Sequence, residues 1–176
     1  MTKEEIQNYA EQLSRQYNPE GLSPYPFDNI QKDKQDLKIL LTEKLPDSVS
    51  GVISFIAEEL NSFVILVNKN KPATRRNFTI AHELGHYFLH QKGIKEELMV
   101  DGDNVLDRVG MLYRQDEALS IKLEIEANNF AASFLMPADL IKKAWEKLKD
   151  VEECAQVFNV SVEAMTIRLS RLGLVV

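Results

Sequence analysis

The stretch that decides this chain is Phe78-Thr79-Ile80-Ala81-His82-Glu83-Leu84-Gly85-His86-Tyr87-Phe88. Its apolar residues recur at helical spacing, and the two histidines stand four apart, so both project from one helix face about one turn apart. At that separation two imidazoles reach a single metal ion, each at about 2 Å. Glu83, adjacent to the first histidine, then lies beside a water on that metal and is placed to take its proton rather than to bind the ion. His82 and His86 are therefore candidate ligands and Glu83 the candidate general base. Gly85 is a poor helix former, and its position predicts that another element packs closely there. The plain alternative is a buried helix with two satisfied histidines. It requires two of only three histidines in the chain to fall on this pattern by accident.

A catalytic zinc needs a third protein ligand and an open position. A further histidine six residues after His86 is one common answer, but that position is Lys92. His90 lies one turn beyond His86 and reads as a helix-end or cleft residue. Leu123-Glu124-Ile125-Glu126-Ala127-Asn128-Asn129-Phe130-Ala131-Ala132 offers two carboxylates on a second helix. Ala127, Phe130, Ala131 and Phe134 form its apolar stripe, with small members that permit close approach. Glu124 and Asn128 share a face beside that stripe, which suits a glutamate ligand with a polar neighbour that orients a metal-bound imidazole. Glu126 sits about 200° around the helix from Glu124. It reads as solvated or paired, although it stays open as the third ligand. Tyr113 and His90 are the candidates for stabilising an oxyanion or bordering the cleft.

Outward from these two helices, Thr2 to Tyr17 reads as an amphipathic helix with Thr2 as its cap, followed by a Pro-rich break from Pro19 to Pro26 and a short helix at Phe27 to Lys32. Leu37–Thr42, Gly51–Ala57 and Phe63–Val67 read as strands joined mainly as antiparallel hairpins, with Asn68-Lys69-Asn70-Lys71-Pro72 as a turn. The first signature helix should run from Thr74 to about His90, and the second from Ser120 to Met136, halted by Pro137. Between them Lys95 to Glu117 carries no clear period and is a candidate lid. Three further helices are expected at Ala138–Leu148, Val151–Phe158 and Ser161–Leu172. The fold class is α+β: a small, mainly antiparallel sheet packed with the His-Glu helix, and a helical C-terminal half. The expected division is a peptidase domain at 1–137 and a helix-turn-helix-like segment at 138–176 packed on it.

Composition bounds the partners. A net charge of −6 opposes general affinity for nucleic acid or anionic membranes. The N-terminus carries charges where a signal peptide has its apolar stretch, and the longest apolar run, Phe63-Val64-Ile65-Leu66-Val67, is too short for a bilayer. Cys154 is the single cysteine and has no internal disulfide partner. Together these predict a cytoplasmic protein. In the last segment Ala155, Asn159 and Met165 stand where a helix-turn-helix needs small, turn and apolar residues, and Ser161 can cap its second helix. Its acidic residues Glu152, Glu153 and Glu163 argue for packing or docking over DNA reading.

Arg75 to His90 resembles the core of the ImmA/IrrE metallopeptidases, and Glu124-Ile125-Glu126-Ala127-Asn128-Asn129-Phe130-Ala131-Ala132-Ser133-Phe134-Leu135-Met136-Pro137 resembles that family's second signature. The likeness covers the chain from about Pro26 onward and departs most between Lys95 and Leu119. It implies a zinc-binding fold with ligands at His82, His86 and Glu124. It also implies a regulatory protease that cleaves a protein such as a helix-turn-helix repressor. The competing reading is a zinc-containing sensor or protein-binding module without proteolysis. The intact Glu83 favours the protease, because a structural zinc site needs no base.

Overall fold

Phe63, Val64, Ile65 and Val67 are buried along one strand, and a strand covered on both faces takes the centre of a sheet. The computed structural model of the chain describes residues 1–56, 61–98 and 117–175. Among them are strands β1 (Leu37–Thr42), β2 (Gly51–Ile56) and β3 (Ser62–Asn68), arranged β1-β3-β2. The helices are α1 (Lys3–Tyr17), α2 (Asp28–Asp33), α3 (Ala73–Leu98), α4 (Glu117–Leu135), α5 (Ala138–Leu148), α6 (Val151–Phe158) and α7 (Val162–Arg171). Most of the candidate lid between Lys95 and Glu117 lies outside the described residues.

The α+β class is as the sequence indicates, but the sheet is mixed. β2 and β3 form an antiparallel pair, Ile53 opposite Ile65, whereas β1 runs parallel to β3 with Ile39 opposite Ile65. Burial accounts for the strand order. β3 is the most fully covered strand and so occupies the middle, leaving β1, whose Leu40 and Leu41 are exposed, to pair on its far edge. The alternation of apolar residues carries no information about strand direction.

One helix lies over this sheet, and a second packs against that helix. α3 packs on β2 and β3, and α4 packs on α3 and α1. Tyr9 of α1 meets Phe88 and Phe130 edge-on, with ring centres 6.3 and 6.4 Å away. Phe88 stacks on Phe130 at 5.8 Å, and Phe130 on Phe134 at 5.5 Å. Offset ring pairs of this kind add about 0.5–1.5 kcal/mol beyond the area they bury. They hold α3 and α4 in one relative position. Thr2 caps α1 reciprocally: its hydroxyl accepts from the Glu5 backbone at 3.2 Å, and its own N–H donates to the Glu5 carboxylate at 2.7 Å.

The C-terminal helices join the same core through Ile141, Cys154, Ala155, Met165 and Leu169. Buried Arg168 donates to the Met136 carbonyl at 2.9 Å and to Glu11 of α1 at 2.9 Å. The same Glu11 oxygen accepts from the Ala138 backbone at 3.1 Å. Asn77 at the start of α3 donates to the Asn159 carbonyl at 3.0 Å. Asn159 turns in left-handed backbone geometry, φ 50°, and Ser161 caps α7 by accepting from the Ala164 N–H. Arg171 donates to Asn129 at 3.1 Å, so both arginines of α7 hold partners within the protein. Among the described residues no helix is long and apolar enough to cross a membrane.

Candidate metal centre

Gly85 decides how near α3 and α4 come. A Cβ added there would stand 3.0 Å from the Ala127 Cα and 3.1 Å from its carbonyl oxygen. These are backbone atoms, so no side-chain rotation relieves the contact. Leu84 on α3 and Ala127, Phe130 and Ala131 on α4 are buried beside the crossing. Gly85→Ala should therefore destabilise the fold. The helix-propensity gain is about 1 kcal/mol, against an overpacking cost of about 1–3 kcal/mol. The expected result is a melting temperature lowered by a few degrees, at about 2–4 °C per kcal/mol. A higher melting temperature would mean that the helix contact yields.

That close crossing brings Glu124, one turn before Ala127 and Asn128, against the histidine face of α3. Nε2 of His82 and Nε2 of His86 lie 3.2 Å apart. Nε2 of His82 is 3.2 Å from one carboxylate oxygen of Glu124, and Nε2 of His86 is 3.2 Å from the other. The three groups offer ligand atoms all within 4.8 Å of one another. Lone pairs from two imidazoles and a carboxylate converging on one point fit a divalent cation, and the His2Glu donor set is one that catalytic zinc uses. Hydrogen bonds from His82 and His86 hold the Glu124 carboxyl well below the usual carboxylate range. Burial opposes charge on His82, but its bond to Glu124 and the nearby Glu83 and Glu124 charges outweigh that and raise its pKa.

Glu83 stands apart from this trio. Its side chain is buried, only 7% of the residue being exposed, and burial pushes its carboxyl up to about 7. The His82 charge and a hydrogen bond with the Ile53 backbone of β2 pull the other way. A carboxyl poised near neutrality can both take up and return a proton.

The candidates divide clearly. Asn128 faces His82, its side-chain oxygen 3.1 Å from Nδ1. Glu126 points away from the trio and lies 3.0 Å from Nε2 of His90. His90 is not among the described residues that line the cleft. Its Nδ1 is 3.1 Å from Nδ1 of His86, so both of its ring nitrogens are engaged. That leaves no free donor on its ring for an oxyanion. Burial lowers its pKa, with the His86 charge acting in the same direction and Glu126 opposing. Tyr113, like residues 99–116 generally, lies outside the described residues.

A cleft of about 680 Å³ opens beside His82, Glu83 and Glu124, walled by Ser48 to Gly51, by Arg75 and Phe78 of α3, and by Asn128 of α4. The wall at 48–50 is held by Asn68, which in the sequence reads only as part of a turn. Asn68 is fully buried and donates to the carbonyls of Pro46 at 3.2 Å and Val49 at 3.0 Å. Gly51 is required for a related reason, since a Cβ there would collide with the Thr79 side chain. Nothing local in the sequence marks either role. Both depend on segments that meet only in the fold.

The sequence profile of the IrrE N-terminal-like domain, a peptidase family, matches residues 35–170. Metallopeptidase ImmA of Bacillus subtilis (strain 168) is 29% identical over 110 residues, covering 61% of this chain and 57% of its own. A solved structure described as a Mycobacterium tuberculosis transcriptional regulator superposes with a TM-score of 0.67 at 21% identity. It covers 94% of this chain and 46% of its own. At that identity the likeness is one of fold. The chain thus spans about half the length of both relatives.

Proposed function

The chain belongs to the IrrE N-terminal-like peptidase family, and from that premise we propose that it is a zinc-dependent endopeptidase of regulatory purpose. The observation that carries the reading is the convergence of His82, His86 and Glu124 beside a buried Glu83 that is not part of the donor set. His82, His86 and Glu124 are the proposed ligands, and Asn128 holds His82 in orientation. Zinc in that site supplies a Lewis acid that polarises a peptide carbonyl and acidifies water. Glu83 accepts the proton of the attacking water on its carboxylate and delivers it to the leaving amine. Arg75 donates from Nε to the Ser50 hydroxyl at 3.1 Å and so ties α3 to the cleft wall.

The proposed substrate is one specific cytoplasmic protein, a helix-turn-helix transcriptional repressor. Membership in the peptidase family supports a protein substrate, and the resemblance to the ImmA/IrrE metallopeptidases is the ground for choosing a repressor. The test is to incubate the purified chain with a repressor encoded beside it. Defined fragments should appear, vanish after zinc is stripped with a chelator, and return when zinc is restored. Fragments forming at an undiminished rate after stripping would refute the metal-dependent mechanism. Zinc binding with no cleavage of that repressor would favour the sensor reading instead.

A further inference from the structure

The two imidazoles of the trio are supported unequally. His82 rests on a single amide, Asn128, whereas Nδ1 of His86 faces Nδ1 of His90 at 3.1 Å. Nε2 of His90 in turn faces Glu126 at 3.0 Å. His90 and Glu126 are both largely buried, with 9% and 15% of their side chains exposed. Lys122, one turn before Glu126 on α4, lies 3.9 Å from its other carboxylate oxygen. The backbone of α3 leaves helical values at His90, φ −127° and ψ 16°, so the helix bends at the residue that closes this chain of contacts.

Only one arrangement of protons satisfies every contact. A cation among the Nε2 atoms of His82 and His86 needs both lone pairs, which puts each ring proton on Nδ1. His86 Nδ1–H must then donate to His90, whose Nδ1 accepts and whose own proton sits on Nε2. His90 Nε2–H donates to the Glu126 carboxylate, which accepts only. The direction is fixed from the carboxylate inward. Partners of this kind fix the tautomer and ring orientation of a ligating histidine and raise its basicity.

We propose that His90 and Glu126 form a two-residue relay that holds His86 in its metal-binding tautomer, both being positioning residues rather than ligands or oxyanion donors. This rests on His82, His86 and Glu124 as the ligand set. It also explains how two carboxylates two residues apart on α4 divide the labour, Glu124 facing the ion and Glu126 the histidine behind it.

The test reads zinc affinity by competition with a chromophoric chelator, independently of any cleavage. His90→Ala and Glu126→Ala should each weaken zinc binding by about 10–100-fold. His90→Asn restores an acceptor near the position of Nδ1 and should recover much of the loss, as should Glu126→Gln, which keeps an acceptor oxygen. Nitrogen-15 spectra of the zinc-loaded wild type should show His90 protonated on Nε2 and bare on Nδ1. The melting temperature of each metal-free variant reports whether it folds. Unchanged zinc affinity in folded His90→Ala, or a proton on His90 Nδ1, overturns the relay and leaves the peptidase reading standing. A wild type that binds zinc and shows the relay signature but cuts nothing has the opposite meaning. A wild type with no zinc affinity overturns both.

Discussion

Glu83→Gln will bind zinc as the wild-type chain does and cleave its substrate about 10²–10⁴ times more slowly, the share that a positioned general acid–base supplies. The two parts of that result have separate causes. Metal content stays because the Glu83 carboxyl is not grouped with the ligand atoms of His82, His86 and Glu124. Rate falls because an amide has the shape of the carboxyl but no basic oxygen. Burial matters to the size of the effect. It pushes the Glu83 carboxyl up to about 7, close to the proton affinity that a base cycling near neutral pH needs. Measuring kcat on the cleaved repressor, with zinc content taken on the same samples, checks both parts. Loss of zinc from the variant would make Glu83 a ligand or a structural support. Undiminished cleavage would move the base elsewhere.

Glu124→Ala should abolish stable zinc binding, from about one ion per chain to nearly none. Each of the Glu124 oxygens sits 3.2 Å from one histidine Nε2, so removing the carboxylate leaves two neutral imidazoles and no negative charge against the ion. Glu126 cannot substitute, because its carboxylate is turned to His90 and lies on another face of α4. Metal analysis of the purified variant after dialysis is the measurement. Retention of a full zinc complement would show that the third ligand is not Glu124. Paired with the milder loss expected for Glu126→Ala, the result separates a ligand from a residue that acts through one.

Much of this arrangement is legible in the amino-acid sequence. The five residues from His82 to His86 carry their own geometry, because four residues of helix put two side chains on one face regardless of what surrounds them. Gly85 signals a close contact by its poor helix propensity, and the fold supplies the contact in the backbone of Ala127. Helical phase favours Glu124, beside the stripe of Ala127, Phe130 and Ala131, but leaves Glu126 open; the fold turns Glu126 to His90. The strands are legible to within a residue or so, but their directions are not. Burial places β3 in the middle, but the parallel direction of β1 beside it is set by how the chain crosses over in the assembled sheet. The place of His90 behind His86, rather than in the cleft, is not legible either, because its partner Glu126 is 36 residues away in sequence.

What the sequence determines by itself is therefore the candidate chemistry: two candidate ligands and a candidate base on one helix, a carboxylate as candidate third ligand at the right phase of another, and the helical stop at Pro137. What only the tertiary structure decides is how those groups are supported. Asn68 holds the cleft wall, Asn128 and the His90–Glu126 pair stand behind the two histidines, and Gly85 with Ala127 sets the distance that makes Glu124 reach. The division has a physical cause. Local periodicity fixes the direction of a side chain relative to its own helix, whereas support comes from long-range contacts whose partners are chosen by packing.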